Sequence, residues 1–302
     1  MSTFTRILCP VDLSETSGHA VTLAAALSAR SGAQLTLHYV YVPMFVPVPG
    51  LPIPGDRIPA DEVARVIDEV RIFATAAGGP PGTPVTVDVG HPAAEILARA
   101  ERDKSDLIVM GTHGASGFTR LVLGSVTEKV LRQAPCPVLT VPPGAPATSH
   151  LPFRHIVCAV DFADWSMAAL NVAVSLAQES GARITAVHAI EWPWPEPPAP
   201  IFSDIPKAQA DALFEFRRYT SDRAGSRLAD AVRDVVGGRC DADTEVVNGK
   251  GHVEVVRAAS SRQADLIVIG MHGRSPLDLA IFGSTTNQVV RHAACPVLTV
   301  RR

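Results

Sequence analysis

The chain has 302 residues, about twice the length of a modest globular domain, so its length predicts two domains. Its 27 basic and 30 acidic residues give a formal net charge of -3, which argues against a nucleic-acid-binding surface, and its 5% aromatic content argues against a base-stacking platform. Five cysteines are too few for a disulfide framework, whereas 47% hydrophobic residues suffice for packed cores.

The first half of the chain alternates short apolar runs with helical patterns. The runs are rich in Val, Ile and Leu and predict strands over residues 7–11, 34–42, 85–89, 107–110 and 138–141. The segments between them predict helices at about 17–31, 60–77, 92–102 and 125–133. Five strands separated by helices predict a parallel sheet covered on both faces, with ligand sites just beyond the carboxyl ends of the strands.

The second half of the chain repeats the first. Residues 6–17 recur as 155–166, and residues 106–141 recur as 265–300 with 20 of 36 positions identical. A segment rich in proline and small residues joins the two halves. The sequence therefore predicts an α/β protein of two tandem copies of a five-stranded, Rossmann-like sandwich, at 1–144 and 151–302, with a linker at about 142–152.

Targeting signals are not predicted. The first fifteen residues lack the basic and apolar stretches of a signal peptide, and the longest uncharged stretch, at 39–55, contains five prolines between positions 43 and 54. A regular membrane-spanning helix is incompatible with that proline content. We therefore expect a soluble protein of the cytoplasm with no membrane partner.

A glycine-rich pattern follows the fourth strand of each copy. The first copy has Gly111 and Gly114, then nine residues, then Gly124-Ser125, and the second has Gly270, Gly273 and Gly283-Ser284 at identical spacing. Glycine lets a backbone turn sharply and approach a ligand, and the first amides of the following helix favour an anion. The pattern thus fits a polyphosphate site. The alternative is that the glycines end strands and the serines cap helices.

These motifs, with the strand ends PVD and AVD and the repeated ending CPVLTV, resemble the universal stress protein family in its tandem form. The resemblance covers both halves apart from two proline-rich insertions and the linker. It implies an adenine-nucleotide-binding-like fold in each copy. Family members with this glycine motif typically bind ATP.

The resemblance also implies which residues would meet the nucleotide. On the base and ribose side these would be Pro10, Val11, Asp12 and Val40 in the first copy and Ala159, Val160, Asp161 and Ala189 in the second. The phosphates would be held by Gly111, Gly114, Gly124, Ser125 and Val126, and by Gly270, Gly273, Arg274, Gly283, Ser284 and Thr285. Alternatively, the two aspartates bind only their own turns, and Arg274 is a solvated surface charge.

The two copies differ at several of these positions. The second copy has Arg274 where the first has Ala115. After the third strand the first copy reads Gly-His-Pro, at 90–92, and the second reads Gly-Lys-Gly, at 249–251. We therefore expect two nucleotide sites of different affinity.

Other reactive residues have plainer interpretations. His113 and His272 lie between the glycines and could contact phosphate or be ordinary loop residues. Four cysteines occupy equivalent strand positions and are expected to be inert hydrophobes, whereas Cys240 lies in a turn. The histidine and cysteine spacings predict no dedicated metal site. The P-loop, dinucleotide-binding and hydrolase-elbow motifs are absent, so no dedicated catalytic residues are predicted.

The favoured function is ATP binding in a stress or regulatory role, with Mg²⁺ or Mn²⁺ accompanying the phosphates and at most slow hydrolysis. The alternatives are an interaction scaffold that binds no nucleotide, and a true ATPase or nucleotide transferase. The final strand of each copy would leave an open edge, so the two copies are expected to pair there as an intrachain pseudo-dimer. A further homodimer is expected through the loops at 42–53 and 192–201.

Overall fold

A computed structural model describes residues 3–43, 59–113, 123–145, 151–192, 206–271 and 283–301. The predicted alternation of strands and helices is confirmed. The first copy contains β1 Arg6–Val11, α1 Glu15–Ser31, β2 Gln34–Tyr41, α2 Ala60–Ala76, β3 Val85–Val89, α3 Pro92–Arg102, β4 Leu107–Gly111, α4 Ser125–Gln133 and β5 Val138–Val141.

Helix α1 begins two residues before its predicted start because Ser14 caps it. The Ser14 side chain accepts a hydrogen bond from the Ser17 amide at 3.2 Å. A serine oxygen at this position satisfies one of the amides that have no partner inside the helix. Gly32 ends the helix with a left-handed φ of 72°, which agrees with the predicted stop.

The second copy has the same order of elements. It contains β6 His155–Ala159, α5 Asp164–Ser180, β7 Arg183–Ile190, α6 Lys207–Val236, β8 Ala242–Asn248, α7 Gly251–Ser261, β9 Leu266–Gly270, α8 Ser284–His292 and β10 Val297–Val300. The main difference is α6, which has 30 residues where α2 has 17. The N-terminal half of α6 carries the exposed side chains Phe214, Phe216 and Tyr219.

All ten strands form one sheet in the order β3-β2-β1-β4-β5-β10-β9-β6-β7-β8. Pairing is parallel within each copy and antiparallel only between β5 and β10. Leu139 lies opposite Leu298 at the centre of that junction, with symmetric pairs on either side. The final strands thus pair within one chain, as the sequence predicted.

Two buried threonines reinforce this junction. The Thr140 hydroxyl donates to the Val297 carbonyl at 3.2 Å, and the Thr299 hydroxyl donates to the Val138 carbonyl at 3.1 Å. Both side chains are almost fully excluded from solvent. Their hydroxyls are therefore satisfied across the two copies, and a buried hydroxyl without a partner would cost about 1–3 kcal/mol.

The helices cover both faces of the sheet. Buried residues of α1, α2, α5 and α6 form one apolar core, and those of α3, α4, α7 and α8 form the other. Each core runs through both copies. Among the helices in the described ranges, none is long and apolar enough to cross a membrane.

Four cysteines belong to these cores, as predicted, but only Cys9 and Cys158 lie in strands. Cys136 and Cys295 lie two residues before β5 and β10, so their predicted strand positions are wrong. All four are buried and unpaired. Burial raises the pKa of the Cys136, Cys158 and Cys295 thiols to about 12, so these groups stay protonated at neutral pH. Cys240 is half-buried. The predicted homodimer loops lie largely outside the described residues.

The two copies differ at one buried position, where only the first copy has a titratable side chain. His38 in β2 is fully buried, where the matching position of β7 is Val187. Its Nδ1 lies 2.9 Å from the Thr86 hydroxyl, and its Nε2 lies 3.8 Å from the Asp88 carboxylate. Burial is the main reason that the pKa of His38 falls to about 4, although Asp88 opposes this shift.

This burial makes stability depend on pH. Between pH 6.5 and about 4 the unfolded chain binds a proton at His38 that the folded protein does not, so stability falls as pH decreases through that range. We expect the free energy of unfolding to lose about 2 kcal/mol between pH 7 and pH 5 through this residue. The variant His38→Val carries the residue of the second copy. Its free energy of unfolding, measured by urea denaturation, should depend less on pH than that of the wild type. An unchanged slope would contradict this assignment.

Candidate functional site

Each copy bends its chain sharply after the first strand. The residues that follow the two aspartates, Leu13 and Phe162, adopt left-handed φ values of 63° and 66°. Non-glycine residues rarely adopt this conformation, and it is concentrated at functional sites. The same strained turn thus leads each strand into its helix, and no pattern in the sequence predicted it.

Both aspartates bind their own turn through one carboxylate oxygen. The Asp12 Oδ1 atom accepts from the Ser14 amide at 3.1 Å and from its hydroxyl at 2.6 Å. The Asp161 Oδ1 atom accepts from the Ala163 amide at 2.9 Å. The turn-binding alternative is therefore present in both copies, and it fixes the direction of each carboxylate. Their contact with a nucleotide stays a prediction.

The glycines at the ends of β4 and β9 allow a helix to approach the sheet. A Cβ atom on Gly270 would lie 2.8 Å from the backbone carbon of Trp165, at the start of α5. A Cβ atom on Gly111 would lie 2.8 Å from the Thr16 methyl group. Separations this short are not found in real structures, so position 270 requires glycine for packing alone, whereas at position 111 the Thr16 side chain would have to move aside.

Two threonines hold the next helix against the same strand ends. The Thr127 hydroxyl donates to the Gly111 carbonyl at 2.9 Å, and the Thr286 hydroxyl donates to the Gly270 carbonyl at 2.8 Å. The amides of Gly124 and Gly283 complete the turns by donating to residues 112 and 271. The first turns of α4 and α8 are thereby fixed beside the strand ends.

These two helices begin at a glycine. Gly124 and Gly283 occupy the capping positions, and a glycine has no side chain with which to cap α4 or α8. Ser125 and Ser284, the first helical residues, are exposed. Amides at such a helix start lack partners inside the helix and favour an anion. The alternative interpretation, in which the serines only cap these helices, is therefore not what the structure shows.

In the second copy the predicted residues converge on one cleft of about 420 Å³. Such a volume lies within the usual range for small-molecule sites. Eight of the predicted residues line it, namely Ala159, Val160, Asp161, Ala189, Gly270, Gly283, Ser284 and Thr285. Gly114, Gly273 and Arg274 lie outside the described residues, so the structure does not place them.

The matching residues of the first copy occupy the same strand ends. Pro10 and Val11 end β1 and are buried, whereas Asp12 is exposed. Val40 is half-buried near the end of β2. Gly111 ends β4, and Gly124, Ser125 and Val126 start α4. His113, the other candidate in this copy, lies with its Nδ1 atom 2.8 Å from the Thr112 hydroxyl. His272 is not among the described residues.

The cleft of the second copy is also lined by residues that the sequence analysis did not predict. His188 in β7 lines it, and its Nδ1 atom lies 2.7 Å from the Val160 carbonyl. The ring of Phe162 packs against His188 with 4.6 Å between ring centroids, and the Arg227 guanidinium lies 4.1 Å from the Phe162 ring. An aromatic pair therefore lies beside the ends of β6 and β7, with His188 in the lining of the cleft and Phe162 packed against it.

An acidic residue lines the same cleft, together with the first residues of α7 and α8. Glu191 follows β7 directly, and its Oε1 atom accepts from the Gly251 amide at 2.6 Å, at the first residue of α7. The two residues are 60 positions apart in the sequence, so only the folded chain reveals their contact. In the part of the chain that the structure describes, no three His, Cys, Asp or Glu side chains converge on a possible metal position.

Known proteins are similar to this chain in sequence and in fold. The model of the universal stress protein family matches residues 3–142 and 152–301. A universal stress protein of Mycolicibacterium smegmatis is 28% identical over 98% of this chain and 96% of its own length. A universal stress protein of Thermus aquaticus is 36% identical over 46% of this chain and 98% of its own length.

A solved structure supports the fold over the whole chain. The crystal structure of a universal stress protein from Archaeoglobus fulgidus DSM 4304 aligns with a TM-score of 0.66. The alignment covers 100% of this chain and 97% of that one, at 22% sequence identity. The two proteins therefore share an α/β architecture of two tandem domains.

The two strand-end glycines should differ in their tolerance of alanine. In Gly270→Ala the new methyl group meets the Trp165 backbone, which cannot move aside, and we expect a loss of about 2 kcal/mol or more in the free energy of unfolding. In Gly111→Ala it first meets the end of the Thr16 side chain, and we expect a loss of about 1 kcal/mol. Urea denaturation without nucleotide measures both. Equal, negligible losses would show that the glycines serve only a ligand.

Proposed function

Because the chain belongs to the universal stress protein family, we propose that each copy binds an adenine nucleotide, with ATP as the principal ligand, at the carboxyl edge of its strands. The base would lie beside the ends of β1 and β2, or of β6 and β7. The phosphates would lie at the start of α4 or α8. The protein would act as a nucleotide-dependent regulator in the cytoplasm rather than as a dedicated enzyme.

The observation that carries the proposal is the pair of uncapped helix starts. Gly124 and Gly283 place the first amides of α4 and α8 beside the strand ends, and within the described residues no side chain caps them. In the second copy this helix start and Asp161 line the same cleft. Such a donor set fits a phosphate, because backbone amides and a helix N-terminus bind anions without needing basic side chains.

The cation would be supplied with the nucleotide. Mg²⁺ is usually held by substrate phosphates, water molecules and one or two protein groups rather than by an all-protein cage. The exposed hydroxyls of Ser125 and Ser284 are the groups in this chain that would orient it. When bound, Mg²⁺ or Mn²⁺ would neutralise phosphate charge.

A glutamate at the first helical position tests each site separately. Ser125→Glu and Ser284→Glu place a carboxylate where the phosphate would lie, yet a carboxylate at a helix start favours folding. We expect each variant to lower ATP affinity at its own copy by about tenfold or more, which corresponds to about 1.4 kcal/mol. Titration calorimetry of the wild type, both single variants and the double variant measures this.

Alanine at the same positions is the matched control. Ser125→Ala and Ser284→Ala keep the backbone amides and add no charge but remove the hydroxyl that would orient the cation, so ATP affinity should fall by clearly less than in the glutamate variants. A double glutamate variant that binds ATP as the wild type does would refute the phosphate assignment. A wild-type chain that binds no adenine nucleotide would support the scaffold alternative, and sustained turnover would support the enzyme alternative.

A further inference from the structure

The two copies differ in charge at the residue that follows the second strand. β2 ends at Tyr41 and β7 ends at Ile190, so Val42 of the first copy corresponds to Glu191 of the second. The Val42 side chain is 53% exposed. An uncharged residue in one copy is thus replaced by a carboxylate in the other, at equivalent places in the fold.

A second difference explains why the carboxylate is held in place. Helix α3 begins at Pro92, and α7 begins at the corresponding Gly251. Proline has no amide hydrogen, so the first residue of α3 cannot donate a hydrogen bond to a side chain. The Gly251 amide is available, and Glu191 accepts from it at 2.6 Å. The exchange of Pro92 for Gly251 therefore creates a binding partner for the acidic residue.

This contact brings the carboxylate to the start of α8. A Cβ atom built on Gly251 would lie 3.5 Å from the Glu191 Oε1 atom and 3.4 Å from the Thr285 methyl group. Glu191, Gly283, Ser284 and Thr285 all line the same cleft. A phosphate bound by the first amides of α8 would consequently lie close to a fixed negative charge.

Among the described residues of that cleft no lysine or arginine offsets this charge, and Arg274, the predicted phosphate contact of this copy, lies outside the described residues. The cleft is lined by Asp161 and Glu191 but by no described lysine or arginine, and Lys250, although adjacent to Gly251, is not part of its lining. Like charges brought close together repel, and because Glu191 is exposed, solvent screens part of this repulsion. The repulsion grows with the number of phosphate charges on the ligand.

We infer that Glu191 determines the ligand class of the second site. It lowers the preference of that site for a triphosphate, so that the second copy takes adenine ligands of low phosphate charge, such as a nucleoside monophosphate, while the first copy takes the triphosphate. This inference rests on the proposed nucleotide binding, because it assigns a specificity to one of the two sites.

Glu191→Gln isolates the charge from the geometry. Glutamine keeps a carbonyl oxygen that can accept from the Gly251 amide, so α7 stays capped, but the negative charge is removed. The experiment uses the full chain with Ser125→Glu, which blocks phosphate binding at the first copy. Calorimetric titrations with ATP, AMP and adenosine at one fixed Mg²⁺ concentration compare this chain with and without Glu191→Gln.

We expect Glu191→Gln to strengthen ATP binding about tenfold, AMP binding less, and adenosine binding by less than about twofold. Glu191→Val introduces the residue of the first copy. It should also raise the ratio of the affinity for ATP to the affinity for adenosine. Glu215→Gln removes an exposed charge on α6, outside the cleft lining, and should leave the ratio unchanged.

Two results would overturn the inference. One refutes only the role of Glu191, and the other also refutes nucleotide binding at the second site. An ATP-to-adenosine ratio that stays within about twofold in both Glu191 variants, in a chain that still binds these ligands, refutes the role of Glu191 alone. A chain with Ser125→Glu that binds neither ATP, AMP nor adenosine refutes nucleotide binding at the second site as well.

Discussion

The antiparallel pairing of β5 with β10 organises the whole molecule. Each copy would otherwise end in a short apolar strand with an open edge, which is prone to unwanted association. Pairing the two edges about Leu139 and Leu298 makes one sheet of ten strands and lets both apolar cores run through the chain. Because the strands are parallel within each copy, this junction also makes the two sets of carboxyl ends point in opposite directions. The two candidate sites therefore lie beyond opposite ends of the strands.

Within each copy, the residues that pack the helices against the sheet are also those that would shape the nucleotide site. Gly111 and Gly270 are needed for the approach of α1 and α5 whether or not a nucleotide binds. The threonine hydroxyls that bind their carbonyls also fix the helix starts that would receive phosphate. The frame of the site is thus maintained by the fold itself, and the copies are free to differ at residues around it, as they do at Val42 and Glu191.

Much of the fold was predictable because its strands are short, apolar and separated by amphipathic helices. The bounds of β3, α3, α4 and β5 agree with the sequence pattern, and the repeat predicted both the second copy and the pairing of its last strand. The early start of α1 was not predicted because the capping role of Ser14 is a local side-chain contact. The added length of α6 was not predicted either.

The site was predictable only in part. The glycine motif located the strand ends, and eight of the residues predicted in the second copy line one cleft. The left-handed turns at Leu13 and Phe162 escaped prediction because ordinary apolar residues occupy them. The Glu191 contact escaped prediction because it joins residues that are distant in sequence, and the low pKa of His38 depends on burial that no local pattern reveals.

The most direct test of this account is a count of adenine-ligand sites on the purified chain. Equilibrium dialysis with labelled ATP and, separately, labelled AMP should give two sites per chain for AMP. With ATP it should give one tight site and one that is weaker by about tenfold. Two identical ATP sites would contradict the predicted difference between the copies. The absence of any bound nucleotide would contradict the proposal that this duplicated frame holds a nucleotide in each half.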